Sequence, residues 1–221
     1  MIDFARARRT MVDTQIRVND VTDGRIIEAL MAVPREAFVP EARRELAYID
    51  DDVAVSEASN GKPARYLIEL MVLAKMVHAA AIGPADSVLD IGVTTGYSAA
   101  VLARLAAKVV AVEEDETLAA AARQALAASG NVTVVAGALA EGAPQQGPYD
   151  VILLEGAVEA VPEALFGQMK EGGRLVAVVG SGRAAKCLVH TRISGEISAR
   201  PIFDAAIPPL PGFAAARGFV F

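Results

Sequence analysis

The stretch Val88-Leu89-Asp90-Ile91-Gly92-Val93-Thr94-Thr95-Gly96-Tyr97 decides how this chain folds. An apolar run with a single acid leads into a turn carrying Gly92 and Gly96, and helix-forming residues follow from Tyr97. A strand that ends in a glycine-bearing turn and opens a helix exposes backbone N–H groups to a ligand. The two glycines permit the tight turn and a close approach, while Thr94 and Thr95 carry hydroxyls able to donate hydrogen bonds or to cap the helix. A turn without any ligand has the same local sequence, so the next strand matters. It ends at Glu113, 21 residues after Gly92, where a carboxylate can accept the ribose hydroxyl hydrogens of an adenosine. The adjacent Glu114, Asp115 and Glu116 fit equally a plain acidic helix start.

Outward from this turn the chain alternates. Strands are predicted at 87–91, 108–112, 132–135, 149–154 and 174–179, with helices at 97–106, 116–128 and 161–169 between them. Short apolar strands without strict alternation require a parallel sheet covered on both faces. The fold class is therefore α/β, a doubly wound, mostly parallel sheet, with antiparallel edge strands over 186–200. Upstream, residues 12–37 read as two short helices divided near 19–23 and ended by Pro34. Residues 38–62 form a polar, acidic connection with a brief strand at 53–55. Apolar spacing over 64–81 predicts one helix of about five turns, stopped by Gly83 and Pro84. Residues 1–80 thus form a helical appendage and substrate-side connection, and 81–221 form the core. Prolines at 201, 208, 209 and 211 predict an irregular tail that packs on the sheet and finishes with Phe219 and Phe221.

Composition narrows the function classes. The 221 residues suffice for a large core. A net charge of −6 offers no broad cationic surface for nucleic acid or an anionic membrane. Although 53% of residues are hydrophobic, no run approaches the roughly 20 apolar residues of a bilayer span, and no secretory signal pattern opens the chain. A cytoplasmic location is the expectation. Cys187 is the single cysteine and His78 and His190 the two histidines, so neither a disulfide framework nor a cysteine- or histidine-based metal site is expected. His78 reads as structural, Cys187 and His190 lack an orienting third group, and Arg6, Arg8 and Arg9 read as a solvated face.

The turn has no lysine and Ser/Thr ending of a nucleoside-triphosphate loop and no dinucleotide fingerprint. Its nearby acids would repel phosphate but suit a cationic, adenosine-bearing cofactor such as S-adenosyl-L-methionine, with Asp90 placed for the methionyl amino group.

The chain resembles the protein-L-isoaspartate O-methyltransferase family over roughly residues 10–182. The resemblance lies in Ala32-Val33-Pro34-Arg35-Glu36-Ala37-Phe38-Val39-Pro40, in residues 88–103, and in Val112-Glu113. It continues in Pro148-Tyr149-Asp150-Val151-Ile152, Val161-Pro162 with Leu165, and Gly172-Gly173-Arg174-Leu175-Val176 with Val179-Gly180. It implies a seven-stranded methyltransferase core, S-adenosyl-L-methionine as methyl donor, and a protein or peptide substrate carrying an isoaspartyl carboxylate, esterified on the way to repair. Asp90, Gly92 and Gly96 match the family's cofactor loop and Glu113 its ribose-binding acid.

Four departures accompany the likeness. Thr94 stands where the family loop has glycine, and Gly137-Ala138-Leu139 replaces a Gly-Asp-Gly whose acid helps bind adenine. The family's Gln-Thr-Ile-Ser-Gln-Pro substrate segment falls, without a gap, on residues 65–70, which puts its serine on Ile68; a slipped alignment would bring in Ser56 or Ser59. Glu155-Gly156-Ala157 replaces a Thr-Ala-Ala run. Lys62 and Arg65, as cations able to neutralise a carboxylate, and Glu155, at the carboxyl edge of the sheet, are the substrate-side candidates; Lys62 and Arg65 also read as ordinary surface cations. The leading expectation is methyl transfer to a carboxylate, against a methyltransferase with another acceptor or a non-catalytic cofactor-binding or interaction protein.

Overall fold

The computed structural model describes residues 2–59 and 61–214; the expected terminal Phe219 and Phe221 lie outside the described residues. The N-terminal part contains α1 (Phe4–Met11), which continues through a wider turn at Val12–Ile16, and α2 (Gly24–Ala32). Asp3 and Asp23 cap these helices by accepting from the N–H groups of Arg6 and Arg25. The division between the helices falls at Asp20, in a left-handed conformation with φ of 64°, and α2 stops two residues before Pro34.

A small antiparallel sheet follows, β1 (Val53–Ser56) and β2 (Arg65–Leu67). This corrects the single helix expected over residues 64–81. Arg65 and Leu67 are buried on one side and Tyr66 is not, a period of two that satisfies a strand as well as a short helix pattern does. The tie is broken by a partner strand and by Asp52, whose carboxylate accepts the Glu69 N–H at 2.8 Å. The helix therefore starts late, as α3 (Leu70–Ala80), and Ala81 ends it with φ of 48°, one residue before Ile82-Gly83-Pro84.

The core alternates β3 (Ser87–Ile91), α4 (Tyr97–Leu102), β4 (Lys108–Glu113), α5 (Glu116–Ala125), β5 (Val132–Ala136), β6 (Tyr149–Val158), α6 (Glu163–Phe166), β7 (Met169–Val179), β8 (Lys186–Ile193) and β9 (Glu196–Asp204). Its seven strands lie in the order β5-β4-β3-β6-β7-β8-β9. Neighbours from β5 to β7 are parallel, whereas β7-β8 and β8-β9 are antiparallel.

Successive side chains of the central strands enter opposite cores. Val88, Val109, Ala111, Val151 and Leu153 join one apolar cluster with Leu73 of α3, Val101 of α4 and Leu118 of α5, and the same cluster takes in Met11, Ile16 and Leu30 from the N-terminal part. Leu89, Ile91, Val110, Val112, Ile152 and Leu154 join the other. Among the described residues that second face is covered by the single turn of α6, by Leu139 and Ala143, and by Leu210 and Phe213 of the irregular tail. Strand order reverses between β3 and β6, so a crevice opens at their carboxyl ends, the switch point where ligands bind in open α/β sheets.

Candidate functional site

Four elements bring their ends to this crevice: the turn after β3, the last residue of β4, the later part of β6, and β2 from the N-terminal part. Gly92 and Gly96 have φ of 85° and 95°, conformations that glycine adopts without steric cost. Thr94 between them has φ of 51°, which is costly for a β-branched residue. The expected capping by threonine does not occur. Thr95 Oγ1 donates to the Phe38 carbonyl at 2.7 Å, Thr94 Oγ1 is buried without a partner among the described residues, and no side chain among them caps α4. A Thr94→Gly substitution removes both the strained dihedral and the orphaned hydroxyl and is expected to stabilise the protein by roughly 1–2 kcal/mol, readable as a raised midpoint in urea unfolding.

Glu113 is fully buried at the end of β4. Its Oε1 accepts from Arg65 Nη1 at 2.6 Å and from the Asp115 N–H at 3.0 Å. Its Oε2 accepts from Arg65 Nη2 at 3.0 Å and from the Thr94 N–H at 2.8 Å. Arg65 therefore forms a buried fork-to-fork pair with Glu113. Of the neighbouring acids, Asp115 caps α5 by accepting from Thr117 and Leu118 N–H, so the helix-start reading holds for it while Glu113 turns inward. Lys62 reaches Asp115 at 3.0 Å on the exposed rim.

Across the switch point Asp90 pairs in register with Leu153, two positions before Glu155. Asp90 accepts from Ser98 Oγ at 2.7 Å. Burial pushes its carboxyl up to about 7, against the lowering effect of Ser98 and Glu155. Burial and the nearby Asp90 charge push Glu155 well above the usual carboxylate range. Among the described residues Asp90 Oδ1 and Glu155 Oε1 have no donor as two carboxylates; a proton kept on Glu155 supplies one.

Sequence reasoning missed Arg35. It is 1% exposed, lies over the Tyr97 ring with its guanidinium carbon 4.9 Å from the centroid, and donates through Nη2 to the Ile68 carbonyl at 3.0 Å. Among the described residues its Nε and Nη1 have no partner, which is unusual for a buried cation. Arg35, Ile68, Gly92, Thr94, Tyr97 and Glu155 line one inner chamber of about 10 Å³. The only signal was its place in Val33-Pro34-Arg35-Glu36. A second correction concerns Arg8, expected on a solvated face: it is partly buried and holds Tyr48, the Met31 carbonyl and Glu36. Cys187 and His190 sit three apart on β8, so their side chains point to opposite faces.

Beyond Arg65 lies an outer cleft of about 650 Å³, walled by Lys62, Glu114, Asp115, Thr117, Gly137 and Ala138 among others. A glycine turn at a switch point, an acid ending the adjacent strand and a cleft continuing past it mark the ligand crevice of a nucleotide-binding type of open α/β domain. The sequence pattern described as protein-L-isoaspartate(D-aspartate) O-methyltransferase matches residues 6–207, and the chain belongs to that family. It is similar to the protein-L-isoaspartate O-methyltransferase of Koribacter versatilis, 38% identical over 95% of this chain and 92% of that one. The enzyme so named from Methylorubrum extorquens is 40% identical over 86% of this chain and 81% of its own length. A solved protein-L-isoaspartate O-methyltransferase superposes with a TM-score of 0.80 at 25% identity, covering 93% of this chain and 66% of that one. A Plasmodium falciparum protein solved with S-adenosyl-L-homocysteine shares the fold, with a TM-score of 0.76 at 16% identity over 95% of this chain and 99% of that one.

Proposed function

We propose that the protein is an S-adenosyl-L-methionine-dependent methyltransferase that esterifies a carboxylate of a protein or peptide, the isoaspartyl side chain being the acceptor. The observation that carries this reading is the placement of Glu113 at the end of β4, against the positive-φ turn and directly behind Arg65, which walls the outer cleft. Asp90, Gly92, Thr94, Gly96 and Glu113 would hold the cofactor, with Glu113 toward the ribose and Gly137-Ala138 beside the base. The fit depends on Arg65 releasing Glu113. The bound cofactor supplies an electrophilic methyl on a sulfonium.

The acceptor carboxylate is an anion at neutral pH and attacks without a dedicated base, so the protein's task is to place it and to exclude water. Ile68, 2% exposed where the family has a serine, cannot hydrogen-bond it. Arg35 can, because it shares the chamber with Ile68 and Gly92 and has two donor nitrogens without a partner among the described residues. Lys62 and Arg65 suit that task less, each being committed to an acid of its own. Glu155 faces the same chamber and would flank the acceptor as a protonated, hydrogen-bonding group.

Methyl-labelled S-adenosyl-L-methionine and a pair of peptides that differ only in an isoaspartyl or aspartyl linkage test the assignment. Base-labile label on the isoaspartyl peptide alone is expected. Ile68 favours one other reading, a different acceptor, and label on neither peptide by a protein that binds the cofactor would select it.

A further inference from the structure

We propose that Arg65 is an internal occupant of the ribose seat, and that its exchange with the cofactor sets the protein's affinity for adenosine-bearing ligands. The inference rests on the cofactor assignment above. An ionised carboxylate offers about four acceptor sites, and Glu113 uses them on four donors, two from Arg65 and two from the backbone. None is left for a ribose diol. The backbone donors belong to the turn after β3 and to the N-cap of α5, and stay when a ligand binds. Only the guanidinium can leave.

The rest of the crevice is shut in the same way. A side-chain carbon placed on Gly92 would stand 2.6 Å from Leu210 Cδ2 and 3.5 Å from Arg65 Nη2, so these two groups cover the face of the turn that a ligand would approach. Leu210 is held there by backbone hydrogen bonds between residues 208–210 and Ala157, at 2.9 and 2.8 Å. Behind them the inner chamber has about 10 Å³, roughly the space of one water molecule. The outer cleft remains open and contains Glu114, which can receive the displaced guanidinium, beside Glu57, Asp115 and Glu116, which pair with Arg43, Lys62 and Arg123 and could share an oxygen with it. Arg65 thus competes with the ribose for one carboxylate and has alternative partners on the way out. The family's segment has glutamine at this position, a neutral side chain that binds a carboxylate far less strongly than a guanidinium fork.

Calorimetric titration with S-adenosyl-L-homocysteine of the wild-type protein, Arg65→Gln and Arg65→Lys tests this, with thermal melts confirming that each variant is folded. Arg65→Gln is expected to bind at least tenfold more tightly than wild type, and Arg65→Lys to fall between them because an ammonium lacks the two-pronged contact. Binding in the variants equal to or weaker than in a wild type that does bind would overturn the proposal while leaving the cofactor assignment standing. Absence of binding at millimolar ligand in all three folded proteins would overturn both.

Discussion

Glu113→Ala is expected to destabilise the protein by about 3 kcal/mol, the lower end of what removing one partner of a buried ion pair costs. For a chain of this size that corresponds to a midpoint lowered by roughly 10 °C. Four hydrogen bonds lose their acceptor at once: two from the Arg65 guanidinium and one each from the Thr94 and Asp115 N–H groups. The lower end applies because Arg65 borders the outer cleft and can turn into it. A double-mutant cycle with Arg65→Gln separates the pair from other effects, since the two substitutions together should cost clearly less than the sum of each alone. Additive losses would mean that the pair contributes nothing as a pair. Glu113→Ala should also abolish S-adenosyl-L-homocysteine binding, whereas Arg65→Gln should strengthen it. One ion pair thus yields opposite ligand phenotypes from substitutions that both destabilise the fold.

The second large effect is a dependence of stability on pH that comes from Asp90 and Glu155. Both carboxyls are raised in the folded protein, so the folded state binds more protons than the unfolded chain above the ordinary carboxylate range. Their contribution to stability is therefore complete at acid pH; that of Asp90 is lost as pH rises through about 7, and that of Glu155 is lost in the same direction. At about 1.4 kcal/mol per pKa unit the loss is on the order of a few kcal/mol. Ser98 and the Arg35 charge oppose the rise in part. His190, which burial pushes down, works in the other direction at mildly acid pH. The comparison of wild type with Asp90→Asn isolates the pair. Melting midpoints measured from about pH 5 to about pH 8 should show the variant gaining on wild type as pH rises; a difference that stays constant would mean that the two carboxyls do not hold the proton described here.

Much of this architecture was legible because it is local. The strand, turn and helix around Gly92 are written in ten consecutive residues, and the repeat of apolar strands and alanine-rich helices gave the parallel sheet and its antiparallel edge. Glu113 could be singled out because strand length and helix length fix how far along the chain the neighbouring strand must end. The appended strand β2 was hidden because three residues satisfy either period, and only pairing with Val53–Ser56 decides between them. The sequence offers Arg65 as a substrate-binding or an ordinary surface cation, and not as the partner of Glu113, for the same reason: that partner lies 48 positions away, and no local pattern reports a fork-to-fork contact. Leu210 on Gly92 joins segments more than a hundred residues apart. Arg35 lies in a stretch that was recognised, but its burial depends on β2, α3 and Tyr97 closing over it.

These hidden contacts all concern how the crevice is filled, while the visible ones concern how it is built. Placement of the turn, the acid and the outer cleft follows from the fold, and the occupants Arg65 and Leu210 follow from tertiary packing.

Calorimetric titration of the full-length wild-type protein with S-adenosyl-L-homocysteine tests the central claim most directly. Saturable binding of one ligand per chain, tightened in Arg65→Gln and lost in Glu113→Ala, is the predicted result. Silence at millimolar ligand in both the wild type and Arg65→Gln would contradict a cofactor site at this crevice.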